Sequence, residues 1–322
     1  MNEDGYDGQY YYLITSNLIP PLNEARDSYR QQRIIYPLLA KTLSFNQVDL
    51  IPFSLIFINL SAIIIGTFIF WNLTSRSLMS TLIFSLNPAY ILGLQYDLIE
   101  PLAITMSLAA FYYFNKQRHL PGLLFFSLAV LTKEVTLAFL APLIIYLFLK
   151  KRYKLSLIYS AAPIPFLLYS TLLRVYSKQL NIGINSGLHS FSFPFEGVIT
   201  VLLNSKYFPV SSGIHTYIII FFLILLVLFL AISFEAVKKS FNFIAFCMVF
   251  IILTSAFYSE IIWSSFMGAA RSIQTFYILA PLIYLKNHGK LVTLGMILMF
   301  IIEIFTLIRP FVVSPKFIYT II

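Results

Sequence analysis

Charged residues and cysteine are both scarce in this sequence, and each scarcity excludes a class of protein. Of 322 residues, 11% are charged and 59% are hydrophobic, and the mean hydropathy is +0.84. A water-soluble globular chain is about a quarter charged, so water is not the main solvent of this one. The one cysteine, Cys247, lies in an apolar run, which excludes a disulfide framework and a thiolate metal cluster. No basic start followed by an apolar core, the mark of a cleavable signal peptide, opens the sequence.

Long apolar runs fill most of the chain instead. Ten of them approach the roughly 20 residues that a helix needs to cross a bilayer. They lie near 51–71, 78–96, 98–114, 120–132, 135–149, 155–174, 214–233, 242–262, 268–285 and 291–308. Because the runs are continuously apolar and do not alternate, they indicate helices and not a barrel. The sequence therefore predicts an all-α fold, a polytopic transmembrane helix bundle of about nine or ten membrane segments, with 1–322 as a single transmembrane domain.

The charges between these runs fall into two alternating sets. One set is almost purely basic, with Glu235 as its one acid: Arg76, Lys116, Arg118, Lys150, Lys151, Arg152, Lys154, Lys238, Lys239, Lys286 and Lys290. The other set holds all the remaining acids except Glu303. Since basic loops stay in the cytoplasm, we expect a multi-pass protein of the cell membrane whose acid-rich loops, including 1–50 and 175–213, are extracytoplasmic. The net charge of +9 then reflects topology and does not indicate a nucleic-acid partner.

The outer segment 1–50 carries two further predictions. Its position requires either translocation of a short polar tail or an N-terminal transmembrane helix missing from this sequence, and we favour the second. Residues 23–43 have helical periodicity, with apolar residues on one side and Arg26, Arg30 and Arg33 at i, i+4 and i+7. We expect this amphipathic helix to lie in the outer membrane interface.

Acids stand beside glycines near the start of the chain, at Asp4-Gly5 and Asp7-Gly8, and tyrosines follow them. A polar tail with an aromatic belt is one interpretation, since such acids suit exposed turns and tyrosines suit membrane interfaces. In the functional interpretation, one carboxylate is a general base at the outer surface that takes a proton from a sugar hydroxyl.

Two tight outer turns also carry charges. In the first, Asp97 and Glu100 are three residues apart, so on a helical turn they would face the same way. In the second, Lys133-Glu134 interrupts a long apolar stretch. Solvated loop acids and a local Lys133–Glu134 ion pair are the simpler alternatives. Ionisable groups at a membrane boundary are usually functional, however, and Lys133 at that level would bind a phosphate, with Glu134 orienting it.

Arg271 is the last candidate. We place it at the outer start of a transmembrane helix, where a helix N-terminus and an arginine together form an anion site. Snorkelling of the arginine towards lipid headgroups explains the position equally well. His189 and His215 lack metal-ligand spacing, so no metal site is predicted, although the sequence leaves a divalent metal open.

In this order, the motifs resemble the GT-C superfamily of integral-membrane glycosyltransferases that use polyprenyl-phosphate sugars. The order is Tyr6-Asp7-Gly8-Gln9-Tyr10-Tyr11-Tyr12, Tyr29-Arg30-Gln31-Gln32-Arg33-Ile34-Ile35-Tyr36-Pro37, Asp97 with Glu100-Pro101, Leu131-Thr132-Lys133-Glu134, and the late outer Arg271. The chain is most similar to prokaryotic proteins akin to the mannosyltransferases of glycosylphosphatidylinositol synthesis. The likeness covers 1–150 well and the remainder by topology.

The resemblance implies a GT-C-like bundle with its active site on the extracytoplasmic face. It implies Asp7 as general base, with Asp4 as the substitute. The remaining site residues are the donor-phosphate cations Arg30, Arg33, Lys133 and Arg271, and the lining acids Asp97, Glu100 and Glu134. The donor would be a dolichyl- or undecaprenyl-phosphate sugar, transferred with inversion to a glycan, lipid or protein acceptor. Membrane lipids are the other expected partners, and no cofactor is expected.

Two other functions are consistent with such a bundle. A transporter or flippase for a lipid-linked or anionic solute would place charged residues near the bilayer midplane, whereas only Glu303 lies deep in an apolar run here. A scaffold subunit without activity is the other. The sequence favours the enzyme because its charges gather at the outer boundary.

Overall fold

The computed structural model describes residues 7–18, 28–179, 191–203, 213–264, 266–286 and 289–313, which are helical and contain no sheet. Their helices are α1 Asp7–Ser16, α2 Ser28–Gln31, α3 Ile35–Leu43, α4 Ile51–Leu73, α5 Leu78–Ser85, α6 Pro88–Gln95, α7 Glu100–Asn115, α8 His119–Thr132, α9 Leu137–Leu149, α10 Tyr153–Ser160, α11 Ile164–Gln179, α12 Glu196–Leu203, α13 Gly213–Lys239, α14 Phe243–Ser255, α15 Glu260–Trp263, α16 Phe266–Ser272, α17 Phe276–Lys286 and α18 Lys290–Val313. Two short 3-10 turns, Val48–Leu50 and Glu134–Thr136, and one isolated bridge between Phe191 and Tyr258 complete the described structure.

Five helical stretches are long and apolar enough to cross a membrane. They are Val48–Leu73, Leu78–Gln95, Tyr153–Tyr176, Ile219–Lys239 and Lys290–Ile308. Four shorter apolar stretches of 10–17 residues are His119–Thr132, Glu134–Leu149, Phe243–Ser255 and Phe276–Lys286. The all-helical class is confirmed, and the five spans indicate a multi-pass membrane protein. The count of nine or ten membrane segments stays a prediction, because each predicted run coincides with helix but several are shorter than a bilayer.

Breaks within the apolar runs have local causes. The run 78–96 divides at Asn87, whose side-chain oxygen accepts a hydrogen bond of 3.0 Å from the Tyr90 amide and so caps α6. Pro88 follows as the first residue of α6, the helical position that proline tolerates best. One apolar run therefore forms two helices, α5 and α6.

The outer faces of several helices carry large apolar side chains. On α4, Phe53 is 70% exposed, Ile64 67% and Phe68 66%. A water-soluble monomer rarely exposes so continuous an apolar surface, whereas in a bilayer the hydrocarbon chains would solvate it. The exposed faces therefore agree with the membrane assignment drawn from helix length.

Helix α7 is the central element for the site. It packs against α4, α6 and α8, and its first residue, Glu100, is fully buried. The approach of α6 to α7 is close, because a β-carbon on Gly93 would overlap the ring of Pro101. Small residues allow such close helix contacts in membranes. This packing fixes the position of the Glu100 carboxylate.

The N-terminal segment forms a helix from Asp7 onward, where one interpretation of the sequence placed exposed turns. Asp7 begins α1, and Tyr11 and Ile14 on that helix are buried in a core cluster that includes Tyr36 of α3 and Leu55 of α4. The interpretation as a polar tail, one of the two left open, is therefore wrong from Asp7 onward, since Tyr11 is a core residue. Asp4 lies outside the described residues.

The predicted amphipathic helix over 23–43 is not continuous. Helix α2 ends at Gln31 and α3 begins only at Ile35, while 19–27, with Arg26, lie outside the described residues. Pro37 has no amide proton to donate to the carbonyl of residue 33, so a helix cannot pass through this point with regular bonding. Within α3, Leu38, Leu39 and Leu43 are exposed while Tyr36 and Ala40 are buried.

Candidate functional site

The candidate site is centred on the Glu100 carboxylate. Lys133 Nζ donates a hydrogen bond of 2.7 Å to Glu100 Oε1, and Arg271 Nε donates one of 2.6 Å to the same oxygen. Lys133 also donates to the backbone carbonyl of Arg271 at 3.2 Å. Three residues that are distant in sequence thus meet at a single buried atom. We call them the Glu100 cluster.

Lys133 does not form the local ion pair with Glu134 that was the simpler expectation. Its backbone is extended and the 3-10 turn begins at the next residue, and its ion pair is with Glu100. Glu134 instead accepts two hydrogen bonds from Arg33, of 2.9 Å from Nε and 2.6 Å from Nη2. The expectation that Glu134 orients Lys133 is therefore wrong, because Glu134 holds Arg33.

Arg33 extends the site towards the N-terminal helix. Its Nη1 donates a hydrogen bond of 3.0 Å to the hydroxyl of Tyr11, which is fully buried. Two parallel hydrogen bonds between guanidinium and carboxylate form the strong, directional version of an ion pair. The Arg33–Glu134 pair consequently ties the segment before α3 to the turn between α8 and α9, and Tyr11 connects α1 to both.

These charged groups are withdrawn from solvent. Side-chain exposure is 0% for Glu100, 5% for Lys133, 12% for Arg271 and 7% for Arg33. Burial lowers the pKa of Lys133 to about 8, Glu100 opposes that shift, and Arg271 and Arg33 add to it. An anion placed beside Lys133 would raise its pKa again, so the cluster favours a negatively charged ligand.

One carboxylate oxygen in the cluster has no partner. Glu100 Oε2 is buried and makes no hydrogen bond to any residue that the structure describes. Buried polar atoms are nearly always hydrogen-bonded, and a carboxylate oxygen is an acceptor. The position suits a hydroxyl or amide donor from a ligand.

Asp97 adds a second carboxylate beside the start of α1. A β-carbon on Gly8 would overlap the Tyr96 carbonyl and touch the Asp97 side chain, so the Asp7–Gly8 end of α1 lies against this turn. Asp97 has a left-handed backbone (φ 51°), and its Oδ1 is buried without a hydrogen-bond partner among the described residues. Burial raises the pKa of Asp97 to about 6. A carboxyl group with such a pKa changes charge near neutral pH, as a group that handles protons must.

The other predicted residues have mixed outcomes. Arg30 lies over the ring of Tyr10, 4.4 Å from its centroid, on the side of the segment where α1 meets α2. Asp7 is the first residue of α1. Arg271 was expected at the start of a transmembrane helix, but this is wrong, because it lies in the last turn of the short helix α16. Arg271 nevertheless belongs to the predicted site, because its side chain donates a hydrogen bond to Glu100.

Two aromatic residues of the site were not foreseen. Tyr11 and Tyr36 were quoted within the motifs of the resemblance, but neither was assigned a role in the site. The Tyr36 ring stands edge-on to Tyr11 at 5.6 Å, and its hydroxyl accepts a hydrogen bond of 2.9 Å from Asn59. Burial, and then the charge of Asp97, raise the pKa of Tyr36. No sequence signal distinguishes these two tyrosines from their neighbours.

An apolar groove runs along α7. It has a volume of about 420 Å³. On α7 its lining residues form one helical stripe that starts at Leu102 and continues through Met106 and Ala109. The opposite walls come from α3, α4 and α8: Leu39, Leu43, Phe57, Ile58, Ser61, Ala62, Ile65, Ile69 and Phe125. Residues two apart on a helix point to nearly opposite sides, so the stripe lies on a different face of α7 from Glu100, and no residue of the Glu100 cluster lines the groove.

No family model, curated protein or solved structure matches this chain.

The dependence of the fold on the Glu100 carboxylate is testable by Glu100→Gln. This change leaves Lys133 and Arg271 buried without their shared anion, so we expect the free energy of unfolding to fall by about 3–5 kcal/mol. Thermal unfolding of the purified chain in detergent measures the change. Glu235→Gln is the matched control, because Glu235 pairs with Lys239 on an exposed surface, where such pairs contribute little. Equal unfolding temperatures for the two variants would show that the cluster is not a structural requirement.

Proposed function

We propose that this chain is an inverting glycosyltransferase that takes a sugar from a polyprenyl-phosphate carrier and transfers it to an acceptor hydroxyl on the extracytoplasmic face. The observation that carries the proposal is the Glu100 cluster, in which Lys133 and Arg271 share one buried carboxylate oxygen. Lys133 and Arg271 are two cations on one carboxylate oxygen, in a place from which water is largely excluded. That arrangement suits the phosphate of a lipid carrier.

The chemistry assigns roles to the two ends of the reacting bond. The acceptor oxygen attacks the anomeric carbon, the bond from that carbon to the carrier phosphate breaks, and the phosphate leaves with the electron pair. Lys133 and Arg271 stabilise the negative charge that develops on the phosphate. A carboxylate on the opposite face of the sugar takes the proton of the acceptor hydroxyl. Attack opposite the leaving group inverts the anomeric configuration.

The base in this proposal is Asp7. The resemblance to GT-C enzymes assigns it that role, and the contact between Gly8 and the Tyr96–Asp97 turn places the start of α1 next to a second carboxylate. When Asp97 is ionised, its negative charge raises the pKa of any neighbouring carboxyl group and makes that group a stronger base. Asp97 is therefore proposed as a positioning residue that tunes the base.

The groove provides space for the carrier's isoprenoid chain. It runs along α7 from Leu102, two residues after Glu100, and its walls are apolar apart from Ser61, Thr105 and the hydroxyls of two tyrosines, Tyr112 and Tyr113. A polyprenyl phosphate needs a charged pocket for its headgroup and an apolar path for its tail. In this proposal the Glu100 cluster binds the headgroup, and the tail passes the first turn of α7 to enter the groove.

One observation favours a transporter as the second candidate. Glu303 on α18 is 1% exposed, and neither of its carboxylate oxygens has a hydrogen-bond partner among the described residues. The hydroxyl of Tyr277 is likewise buried without such a partner. Buried ionisable groups at membrane depth mark transport pathways in many proteins. The transfer assay separates the two functions, since a transporter releases no polyprenyl phosphate.

The direct test is sugar transfer by the purified chain in proteoliposomes, with a panel of polyprenyl-phosphate sugars and a membrane lipid extract as acceptor. In Lys133→Gln or Arg271→Gln, Glu100 keeps one cation, so the fold should persist. A lost hydrogen bond to a charged group is worth about 1.5–3 kcal/mol, so we expect kcat/KM for the donor to fall roughly 10- to 100-fold.

The matched control for that test is Lys154→Gln, an exposed lysine outside the cluster. It should leave donor use unchanged. Absence of polyprenyl phosphate release with every donor, or equal losses in all three variants, would remove the proposal.

The role of the base is tested by Asp7→Asn and Asp97→Asn. Loss of a general base lowers the rate by about 10²- to 10⁴-fold, and we expect this in Asp7→Asn at every pH. In the wild type, kcat/KM should rise as pH increases through about 6, because the Asp97 carboxyl loses its proton there. Asp97→Asn should remove that rise and keep measurable transfer. The reverse pattern, with Asp97→Asn inactive and Asp7→Asn active, would assign the base to Asp97.

The groove is tested by a pair of substitutions on adjacent positions of α4. Ile65 lines the groove and is 52% exposed, whereas Ile64 is 67% exposed and does not line it. We expect Ile65→Trp to obstruct the lipid tail and raise the KM for long-chain donors, while a short-chain donor analogue is used normally. Ile64→Trp should behave as wild type with both donors. If the two variants have the same chain-length dependence, the donor tail binds elsewhere.

A further inference from the structure

A second large concavity lies at the opposite end of α7 from the Glu100 cluster. Glu100 opens this 16-residue helix and Asn115 ends it, so about 24 Å of helix separates the two places. The pocket has a volume of about 950 Å³ and forms where α4, α7, α9 and α17 end and α14 begins. It plays no part in the proposed transfer reaction.

Three cations from two connections between helices converge on this pocket. Lys150 follows α9, Arg152 precedes α10, and Lys286 ends α17. The lining contains no carboxylate, and among the described residues none of the three side chains has an ion-pair partner. Asn115, Asn242, Thr74 and Ser75 contribute neutral hydrogen-bonding groups. Like charges gathered without an anion repel one another, so the pocket is electrostatically complementary to a polyanionic or phosphate group.

The remaining lining is aromatic and aliphatic. Phe111, Phe114, Tyr146 and Phe243 form one wall, and Leu282 and Leu285 another. Lys150 Nζ lies 5.2 Å from the ring centroid of Phe241 and 5.9 Å from that of Tyr146, so the cation is already held at the boundary between the polar and apolar parts. The pocket is therefore amphipathic, with charge at its mouth and apolar walls that lead between the helices.

We propose that this pocket binds the phosphate of an anionic phospholipid, with Lys150, Arg152 and Lys286 around the headgroup and the aromatic wall against the acyl chains. The sequence places these loops in the basic set that remains in the cytoplasm, where anionic lipids are the abundant phosphates at the membrane surface. A soluble phosphate compound shares the headgroup chemistry but does not use the apolar walls.

This pocket differs from an ordinary basic loop because three cations line one cavity. Lys151, Lys154 and Lys238 belong to the same set of loops and yet line neither this pocket nor the smaller one beside it. If the cations served only to orient the chain in the membrane, all six would attract anionic lipid equally. The proposal requires the three lining cations to bind anionic lipid far more strongly than the other three.

Native mass spectrometry of the detergent-solubilised full chain tests this with phosphatidylglycerol and phosphatidylcholine of equal chain length. We expect phosphatidylglycerol to bind at least about tenfold more tightly than phosphatidylcholine, since several charge-assisted contacts are available to the former. The triple variant Lys150→Gln, Arg152→Gln and Lys286→Gln should lose that preference. The triple variant Lys151→Gln, Lys154→Gln and Lys238→Gln removes the same charge outside the pocket and should keep it.

Two additions make the result unambiguous. Asn115→Trp fills the pocket without changing charge, and it should weaken phosphatidylglycerol binding even if the first triple variant fails to fold. Competition by inorganic pyrophosphate would identify a soluble phosphate compound as the ligand of the same cations, and absence of competition would identify the lipid. Equal binding by the two triple variants, or equal affinity for the two lipids without pyrophosphate binding, would overturn the proposal.

Discussion

The buried carboxylate of Glu100 is the constraint on which the rest of the site depends. A charge removed from water is tolerated only when it is paired and hydrogen-bonded, and here one oxygen satisfies both Lys133 and Arg271. Because those residues lie after α8 and in α16, the pairing fixes three separate elements around the first residue of α7. The Arg33–Glu134 pair and its hydrogen bond to Tyr11 then fix α1 to the same place. The N-terminal helix is consequently part of the site.

The membrane explains why polar and apolar features divide so sharply in this chain. Exposed faces such as that of α4 are apolar because lipid would surround them, and the ionic groups gather where helices end. At one end the cations are mostly paired with carboxylates, and at the other the three cations of the basic pocket have no acid in the lining. One end thus has a precise, partly neutralised cluster suited to chemistry on a phosphate, whereas the other has a strong field suited to retaining an anion.

Sequence reasoning found most members of the site but few of their partners. Lys133, Glu134, Glu100 and Arg271 were selected individually because charges are rare at membrane boundaries, and that reasoning does not depend on contacts. Partners depend on tertiary packing, so the nearest residue in sequence, Glu134, was wrongly matched to Lys133. The break before α3 was predictable from Pro37, since a proline cannot donate the helical hydrogen bond. The end of α16 was not, because Ile273-Gln274-Thr275 contains no helix-breaking residue.

The depth of the ionic groups in the membrane helps to decide between an enzyme and a transporter. A conduction path needs polar groups at successive depths. Among the described residues, the ion-paired charges lie at helix ends or in the turns between helices, whereas Glu303 is buried within α18 and has no hydrogen-bond partner there. One buried carboxyl group gives no stepwise route for a charged solute. The distribution of charge among the described residues therefore favours the proposed reaction at the membrane surface over transport of a charged solute.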